Sequence, residues 1–394
     1  NQQNVKISKT MKFKINRDFF SSGLQLVTSV VGTRKTMPIL QNVLIEAEEG
    51  KVSLTTTNLD LGARCSVKAE VTEPGAVTLP VKELGSIIRQ LADMEVSVET
   101  GGDPKATITT RGSVFNVMGM ESKEFPPLPT LEGQQEFDLD RAELIQMLKN
   151  VSYAQSLNEE RYMLKGVYFL FSEDELALVA TDGRRLAVTK RNLGEKTNEG
   201  GEFILPSSSV SELERIPDLG NSVRVSFTDR QVAFEMKIGK QKGEEVEEGK
   251  GFVESVYLVS KVVEGKYPNY KQVIPKDSFK RSEVERELLQ ECVTRAALVS
   301  DDKVTFRVKA NELEITGQSL LGDARESMSI EYDGENATVS FNPRFLLDPL
   351  KSLTKDKVYF EFRDDMSPGV FRTDGPKDGD PLSFLCVVMP IRTD

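Results

Sequence analysis

Apolar residues recur along this chain at helical spacing in some stretches and at every second position in others. Phe20, Leu24, Val27 and Val31 fall at i, i+4, i+7 and i+11, which predicts a one-faced helix. Leu144, Leu148 and Val151 predict a second such helix, and Val284, Leu288, Cys292 and Ala296 a third. Shorter helical stretches follow at Lys82 to Leu91, Ser211 to Ile216 and Phe345 to Leu353. Between them the pattern alternates, as in Val52 to Thr56 and Val223 to Phe227, which predicts half-buried strands.

The pattern repeats. Phe13, Ile15 and Arg17 return as Phe137, Leu139 and Arg141, a shift of 124 residues. The same shift carries Leu40 and Val43 onto Leu164 and Val167, Val52 and Leu54 onto Leu176 and Leu178, and Thr57-Asn58 onto Thr181-Asp182. With small insertions, Leu79-Pro80 matches Leu205-Pro206, and Phe125-Pro126 matches Tyr267-Pro268. A weaker third copy runs through Val304, Phe306, Leu313, Ile315 and Phe341-Asn342-Pro343. The expected domains are therefore 11–136, 137–276 and 277–394, each with two helices packed on antiparallel sheets in an α+β arrangement. Residues 239–251, rich in Gly and charge, are expected to form a mobile hairpin loop. Residues 1–10 lack the apolar core of a signal peptide and are expected to be an extension or tag remnant, with Met11 the natural start.

Composition narrows the chemistry. The 394 residues include no His, which removes Ser-His-Asp and Cys-His catalysis and every His-containing metal site. Cys65, Cys292 and Cys386 are too far apart in sequence for a CxxC pair, so reduced thiols in a cytoplasmic protein are expected. No stretch approaches the ~20 apolar residues of a membrane span. The net charge is −11, and each repeat carries more acidic than basic residues, so no repeat is a basic nucleic-acid domain by composition. The helical stretches nevertheless carry Arg34, Lys35, Arg89, Arg141, Lys149, Lys280, Arg281, Arg286, Lys351 and Lys355. These are either solvated helix faces or, if all the helices point one way, one basic surface.

Three function classes fit these residues: a non-enzymatic nucleic-acid-binding protein, a carboxylate-dependent enzyme, and a purely structural repeat protein. The enzyme reading has only Asp182 beside Arg184 and Arg185, without a Gly-rich phosphate loop, a metal-spaced cluster or a paired base. Asp182 also suits a turn, since Asp side chains bond backbone amides two residues on. No cofactor and no metal are expected.

Thr181–Ala187, Tyr267–Tyr270, Val387–Arg392, the opening Met11-Lys12-Phe13 and Met37–Leu40, in this order, resemble the bacterial DNA polymerase III β subunit, the sliding clamp family. The resemblance spans residues 11–394 and includes the threefold repeat. It implies the DNA-clamp fold, a ring-shaped head-to-tail homodimer, and a processivity role without catalysis. The implied partners are duplex DNA, held topologically and without sequence preference, the replicative polymerase, the clamp loader and other replication and repair proteins. By position it implies DNA contacts at Arg34, Asn158, Arg161 and Tyr162; Tyr162 suits equally a strand-edge aromatic. It implies a peptide-binding pocket walled by Leu164, Thr181, Gly183, Arg185, Leu186, Pro268, Val273, Val387, Val388, Met389, Pro390 and Ile391. Arg184, Gln272 and Arg392 would form its rim, and Phe345, Met366 and Pro368 one side. Alternate residues of the last strand are expected in the core and the others in the pocket. Arg184 stands where the family commonly has His, Gln272 where an Arg can occur, and the end Thr393-Asp394 is also unusual; these bear on partner preference. At the implied ring contact, Phe115 and Val117 of an edge strand meet Leu298 and Val299 of the other chain.

Overall fold

The computed structural model describes residues 10–32, 37–131, 135–194, 200–216, 221–237, 253–275, 281–332, 334–364, 366–373 and 382–392. Arg34, Lys35, Lys280, the expected 239–251 loop and Thr393-Asp394 lie outside them. Among the described residues there are six α-helices: α1 (Arg17–Thr28), α2 (Val81–Gln90), α3 (Arg141–Val151), α4 (Ser207–Arg215), α5 (Arg286–Ala297) and α6 (Pro343–Ser352). Each starts where a strand ends, five of them at the very next residue. Asn16 caps α1 by accepting from the amides of Asp18 and Phe19, and Asn342 caps α6 by accepting from Arg344 N.

The chain divides into two compact units, Asn1–Ala142 with Ser211–Val262, and Glu143–Val210 with Val263–Asp394. The middle sequence repeat thus contributes one half to each. In the first unit, a five-stranded sheet runs Glu70–Glu73, Met11–Asn16, Glu95–Thr100, Lys105–Thr109, Val114–Met118, with the last strand at its edge. An eight-stranded sheet joins Val253–Lys261 of the middle repeat to Leu61–Lys68 of the first, in a ladder that includes Val256 opposite Cys65. In the second unit, an eight-stranded sheet runs Gly201–Pro206, Gly166–Phe171, Glu175–Thr181, Arg185–Asn192, Leu382–Val388, Gly369–Thr373, Lys357–Glu361, Arg281–Glu285. A four-stranded sheet runs Gly322–Ser329, Glu312–Ser319, Val304–Lys309, Ala337–Phe341.

The buried stripe of α1 is Phe20, Gly23, Leu24 and Val27, close to the sequence expectation. That of α5 is Leu289, Cys292, Val293 and Ala296, whereas Leu288 is exposed. The expected stripe was misphased because Val284 belongs to the strand Arg281–Glu285, so the helical period has no origin there. All three cysteines are buried and free, and burial pushes the Cys65 and Cys386 thiols up to about 12.

Two arginines expected on open helix faces, Arg141 and Arg286, are structural instead, and Arg17 matches them. Arg17, Arg141 and Arg286 each open the first helix of a repeat, and each turns its guanidinium onto carbonyls at the end of that repeat's second helix. Arg17 donates to Leu91 O at 2.8 Å, Arg141 to Ile216 O, and Arg286 to Leu350 O at 3.2 Å and Lys355 O at 2.7 Å. Cations there satisfy orphan carbonyls and meet the negative end of the helix dipole. Arg281 lies in a strand, not a helix, and pairs with Glu361 at 2.8 Å.

Candidate functional site

The pocket residues all belong to the second unit, most of them on three stretches, with Leu164, Pro268, Gln272, Val273 and Phe345 on others. The first is the hairpin Glu175–Thr181 and Arg185–Asn192, closed by Asp182-Gly183-Arg184. Asp182 Oδ1 accepts from Arg184 N at 2.9 Å and Arg185 N at 3.0 Å, and Thr181 Oγ1 donates to Arg185 O at 2.6 Å. Gly183 has φ +85°, and a Cβ there would lie 2.4 Å from Arg161 Nη1. The left-handed backbone favours glycine, and any Cβ would also push the Arg161 guanidinium aside. Asp182 therefore has the turn-forming role, and its carboxylate faces backbone amides and Arg185.

Arg185 is held in a closed environment. It was placed in the pocket wall, yet it is only 6% exposed. Its Nε reaches Asp182 Oδ2 at 3.2 Å, its Nη1 reaches Asp348 Oδ2 at 2.6 Å, and its Nη2 donates to Tyr153 O. The guanidinium also lies over the rings of Phe345 and Tyr153, 4.5 and 5.3 Å from their centroids. A planar fork with several donors fits this many-sided cage where a lysine would not. Arg185 fastens the turn to α6 and to the end of α3. Asp348 and Tyr153 were missed because nothing in the local sequence links them to residue 185.

The second stretch is the last strand. Leu382–Val388 pairs with Arg185–Asn192, placing Leu186 opposite Val387 and Arg185 opposite Val388, and Met389 N donates to Arg184 O at 2.9 Å. The expected alternation is present, but both faces are covered. Val387 joins a cluster with Leu186, Tyr168, Tyr267, Tyr270 and Val370, while Val388 joins one with Phe341, Phe360 and Phe371. Leu186, Val387 and Val388 are therefore buried rather than walls open to solvent. Leu164 and Ile274 pack against the first cluster. Tyr168 and Tyr267 stack within it at 4.7 Å, and the Tyr168 hydroxyl donates to Glu202 at 2.6 Å.

Three apolar side chains of the expected pocket remain accessible. Val273, Met366 and Met389 are 53%, 58% and 44% exposed. Pro268, Gly183, Arg184, Gln272 and Arg392 are exposed, and Thr181, Phe345, Pro368, Pro390 and Ile391 half-buried. Met366, the third stretch, sits on a turn in which Asp364 Oδ1 accepts from Met366 N at 3.1 Å and from the Ser367 hydroxyl at 2.6 Å. That turn leads into Gly369, which pairs with Val388.

Asn158, Arg161 and Tyr162 lie together around the short 3₁₀ segment Glu159–Leu164. Asn158 caps it, accepting from Glu160 N at 2.9 Å, and Tyr162 is exposed. Tyr162 is thus not at a strand edge. Arg161 donates to Asp182 O at 3.1 Å, so the guanidinium is engaged with the hairpin turn. Arg34 lies outside the described residues. At the expected ring contact, Phe115 is exposed on the edge strand, Val117 is buried, Leu298 is exposed just beyond α5, and Val299 is half-buried.

Three family profiles cover most of the chain: the DNA polymerase III beta subunit N-terminal domain at residues 11–129, central domain at 138–247, and C-terminal domain at 271–391. The beta sliding clamp of Synechocystis is 33% identical over 410 residues, covering 97% of this chain and 99% of that protein. The beta sliding clamp of Chlamydia muridarum is 30% identical over 386 residues, with the same coverages. The crystal structure of the DNA polymerase sliding clamp from Bacillus subtilis superposes with a TM-score of 0.87 at 26% identity, over 98% of this chain and 100% of that one. A threefold repeat, six strand-to-helix junctions and a match along nearly the whole length leave one conclusion: the chain belongs to the DNA polymerase III beta subunit family.

Proposed function

We propose that this chain, a DNA sliding clamp for DNA polymerase III and not an enzyme, closes a ring with a second copy and receives its partners through the Val273–Met366–Met389 surface. The exposure of three apolar side chains, Val273, Met366 and Met389, is the observation that carries the partner site. Apolar anchors of a short peptide would seat against Val273, Met366 and Met389, with methionine adapting to different anchors. Arg184, Gln272 and Arg392 would act on selectivity, because exposed charges gain little on binding. Domains 11–136, 137–276 and 277–394 would each supply two helices to the lining of the hole.

In this reading two chains meet head to tail, a heterologous contact that closes after two copies. Val114–Met118 at one sheet edge would meet the α5 end of the partner, hiding backbone groups that an open edge leaves unpaired. DNA would be retained by enclosure, touched weakly by Arg34, Asn158, Arg161 and Tyr162. A net charge of −11 suits this, since dense phosphate contact would slow sliding. Among the described residues no helix is long and apolar enough to cross a membrane, and we place the protein in the cytoplasm, where replication occurs.

A labelled peptide with two or three apolar anchors, titrated against wild type and Met389→Ala, tests the site. Loss of an anchoring contact costs about 1–3 kcal/mol, roughly tenfold or more in Kd. Met389 is largely exposed, so its truncation should leave unfolding unchanged. Equal affinities would put the peptide site elsewhere. Retention on nicked circular DNA, with release on linearisation, tests enclosure.

A further inference from the structure

Sulfur is divided sharply between the inside and the outside of this chain. All three cysteines are buried and free. Burial pushes the Cys65 and Cys386 thiols up to about 12 and the Cys292 thiol above its ordinary value, so little reactive thiolate forms at neutral pH. Of the eleven methionines, Met11, Met147, Met236 and Met328 are buried, and Met120 and Met163 half-buried. The exposed sulfur side chains are Met37, Met94 and Met118 in the first unit and Met366 and Met389 in the second.

The two in the second unit are also two of the three accessible apolar side chains of the expected pocket. Both stand on pinned backbone. Met389 N donates to Arg184 O at 2.9 Å, and Met366 N donates to Asp364 Oδ1 at 3.1 Å. Each thioether can therefore change chemically while the backbone that presents it stays in place. A thioether is soft, apolar and able to adapt to an apolar anchor. Its sulfoxide is polar and chiral, with an oxygen that accepts hydrogen bonds. An apolar anchor covering that oxygen would take it from water and offer no donor in return, which opposes binding.

We propose that Met366 and Met389 are a peroxide-oxidation site that switches partner binding off. This rests on the partner reading of that surface and adds its regulation. The sulfur lone pair attacks one oxygen of hydrogen peroxide, the O–O bond breaks as the S–O bond forms, and the departing hydroxide takes up a proton as water. Sulfur is oxidised by two electrons and the peroxide is reduced by two. The cysteines, buried and protonated, do not compete for the oxidant. Reversal takes two reductases, one for each sulfoxide epimer. The fold is not the target, because the methionines of the core are shielded.

The experiment treats the whole protein with dilute hydrogen peroxide, maps sulfoxides by mass spectrometry and titrates a labelled, methionine-free peptide with two apolar anchors. Sulfoxide is expected at Met366 and Met389 well before Met147 and Met328. Peptide Kd should rise about tenfold or more, as loss of an apolar anchor does, and return after treatment with both reductases. The Met366→Leu/Met389→Leu chain, compared with its own affinity before peroxide, should show no such rise. The same rise in that variant, or an unchanged Kd in wild type oxidised at both positions, overturns the switch. In a second measurement, saturating peptide should slow sulfoxide formation at Met366 and Met389 and leave Met37 and Met94 unaffected. Equal rates at Met366 and Met389 with and without peptide overturn the partner reading itself. Protection of both, with an unchanged Kd after oxidation, supports that reading and overturns the switch alone.

Discussion

Asp348→Ala should loosen the partner site without touching its accessible surface. Asp348 holds Arg185 Nη1 at 2.6 Å, with its own side chain 22% accessible and that of Arg185 6%. At 4 Å and an effective dielectric of 20, a unit pair is worth ~4 kcal/mol before desolvation. Breaking a fully buried pair costs about 3–5 kcal/mol, because a charge is left uncompensated. Here Asp182 remains at 3.2 Å, and the opening at Asp348 admits water to the guanidinium. Both effects bring the loss below that range, to about 2 kcal/mol, which for a unit of this size is ~4–8 °C in Tm. Peptide affinity should fall as well, since the turn carrying the Arg184 carbonyl also holds Met389 N. Differential scanning calorimetry and peptide titration measure the two effects. The paired replacement Arg185→Met with Asp348→Leu should recover much of the stability, as apolar replacements of buried pairs often do. If Asp348→Ala unfolds within about 0.5 kcal/mol of wild type, the surface-substitution range, Arg185 does not depend on Asp348 and its cage is held by Asp182 and Tyr153 alone.

Arg286→Ala removes two bonds from a charged donor to Leu350 O and Lys355 O and should cost about 2–3 kcal/mol, with faster amide exchange in α5 and α6. Arg286→Lys should rescue little, since one ammonium cannot reproduce the fork; full rescue would reduce the clamp to simple charge. Below the usual carboxylate range the Met366 turn should loosen. The Ser367 hydroxyl first, then Arg363 and the Met366 amide, hold the Asp364 carboxyl below its ordinary value. A depressed folded pKa gives stability that is complete above the unfolded value, ~3.9, and lost as pH falls through the folded one. Peptide binding should therefore be insensitive to Asp364→Asn in the acid limit but not at pH 7, and a variant that binds like wild type at pH 7 would remove the turn from the site.

The repeat was legible because it is written in local chemistry: a strand, then a helix starting at once in five cases and one residue later in the sixth. Arg17 and Arg141 were visible as matching positions, but the third copy at Arg286 was not, because the residues before it diverge to Ser282 and Val284. The packing units were not legible. Val253–Lys261 pairs with Leu61–Lys68, and Arg185–Asn192 with Leu382–Val388, across almost 200 residues of sequence in each case. Alternation specifies which face of a strand is apolar and says nothing about which strand lies beside it.

The same distinction separates what could and could not be read of the site. Met389, Val273 and Met366 were assigned by resemblance, and each presents an accessible apolar side chain. Val387 and Val388 were expected to divide between core and pocket, since a strand has two faces. That inference assumes one face of the sheet is open, and here aromatic clusters close both. A run of Leu, Cys, Val and Val with no polar residue between Phe384 and Met389 is the signal that could have shown it, because strands buried on both sides lose their alternation. The burial of Arg185 was hidden for a different reason. Arg185 was assigned to the pocket wall by resemblance, and the positions of Asp348, Tyr153 and Phe345, together with Asp182, are what satisfy its buried guanidinium. The turn that holds Met389 is thus set by side chains from two helical regions, which no pattern within the hairpin encodes.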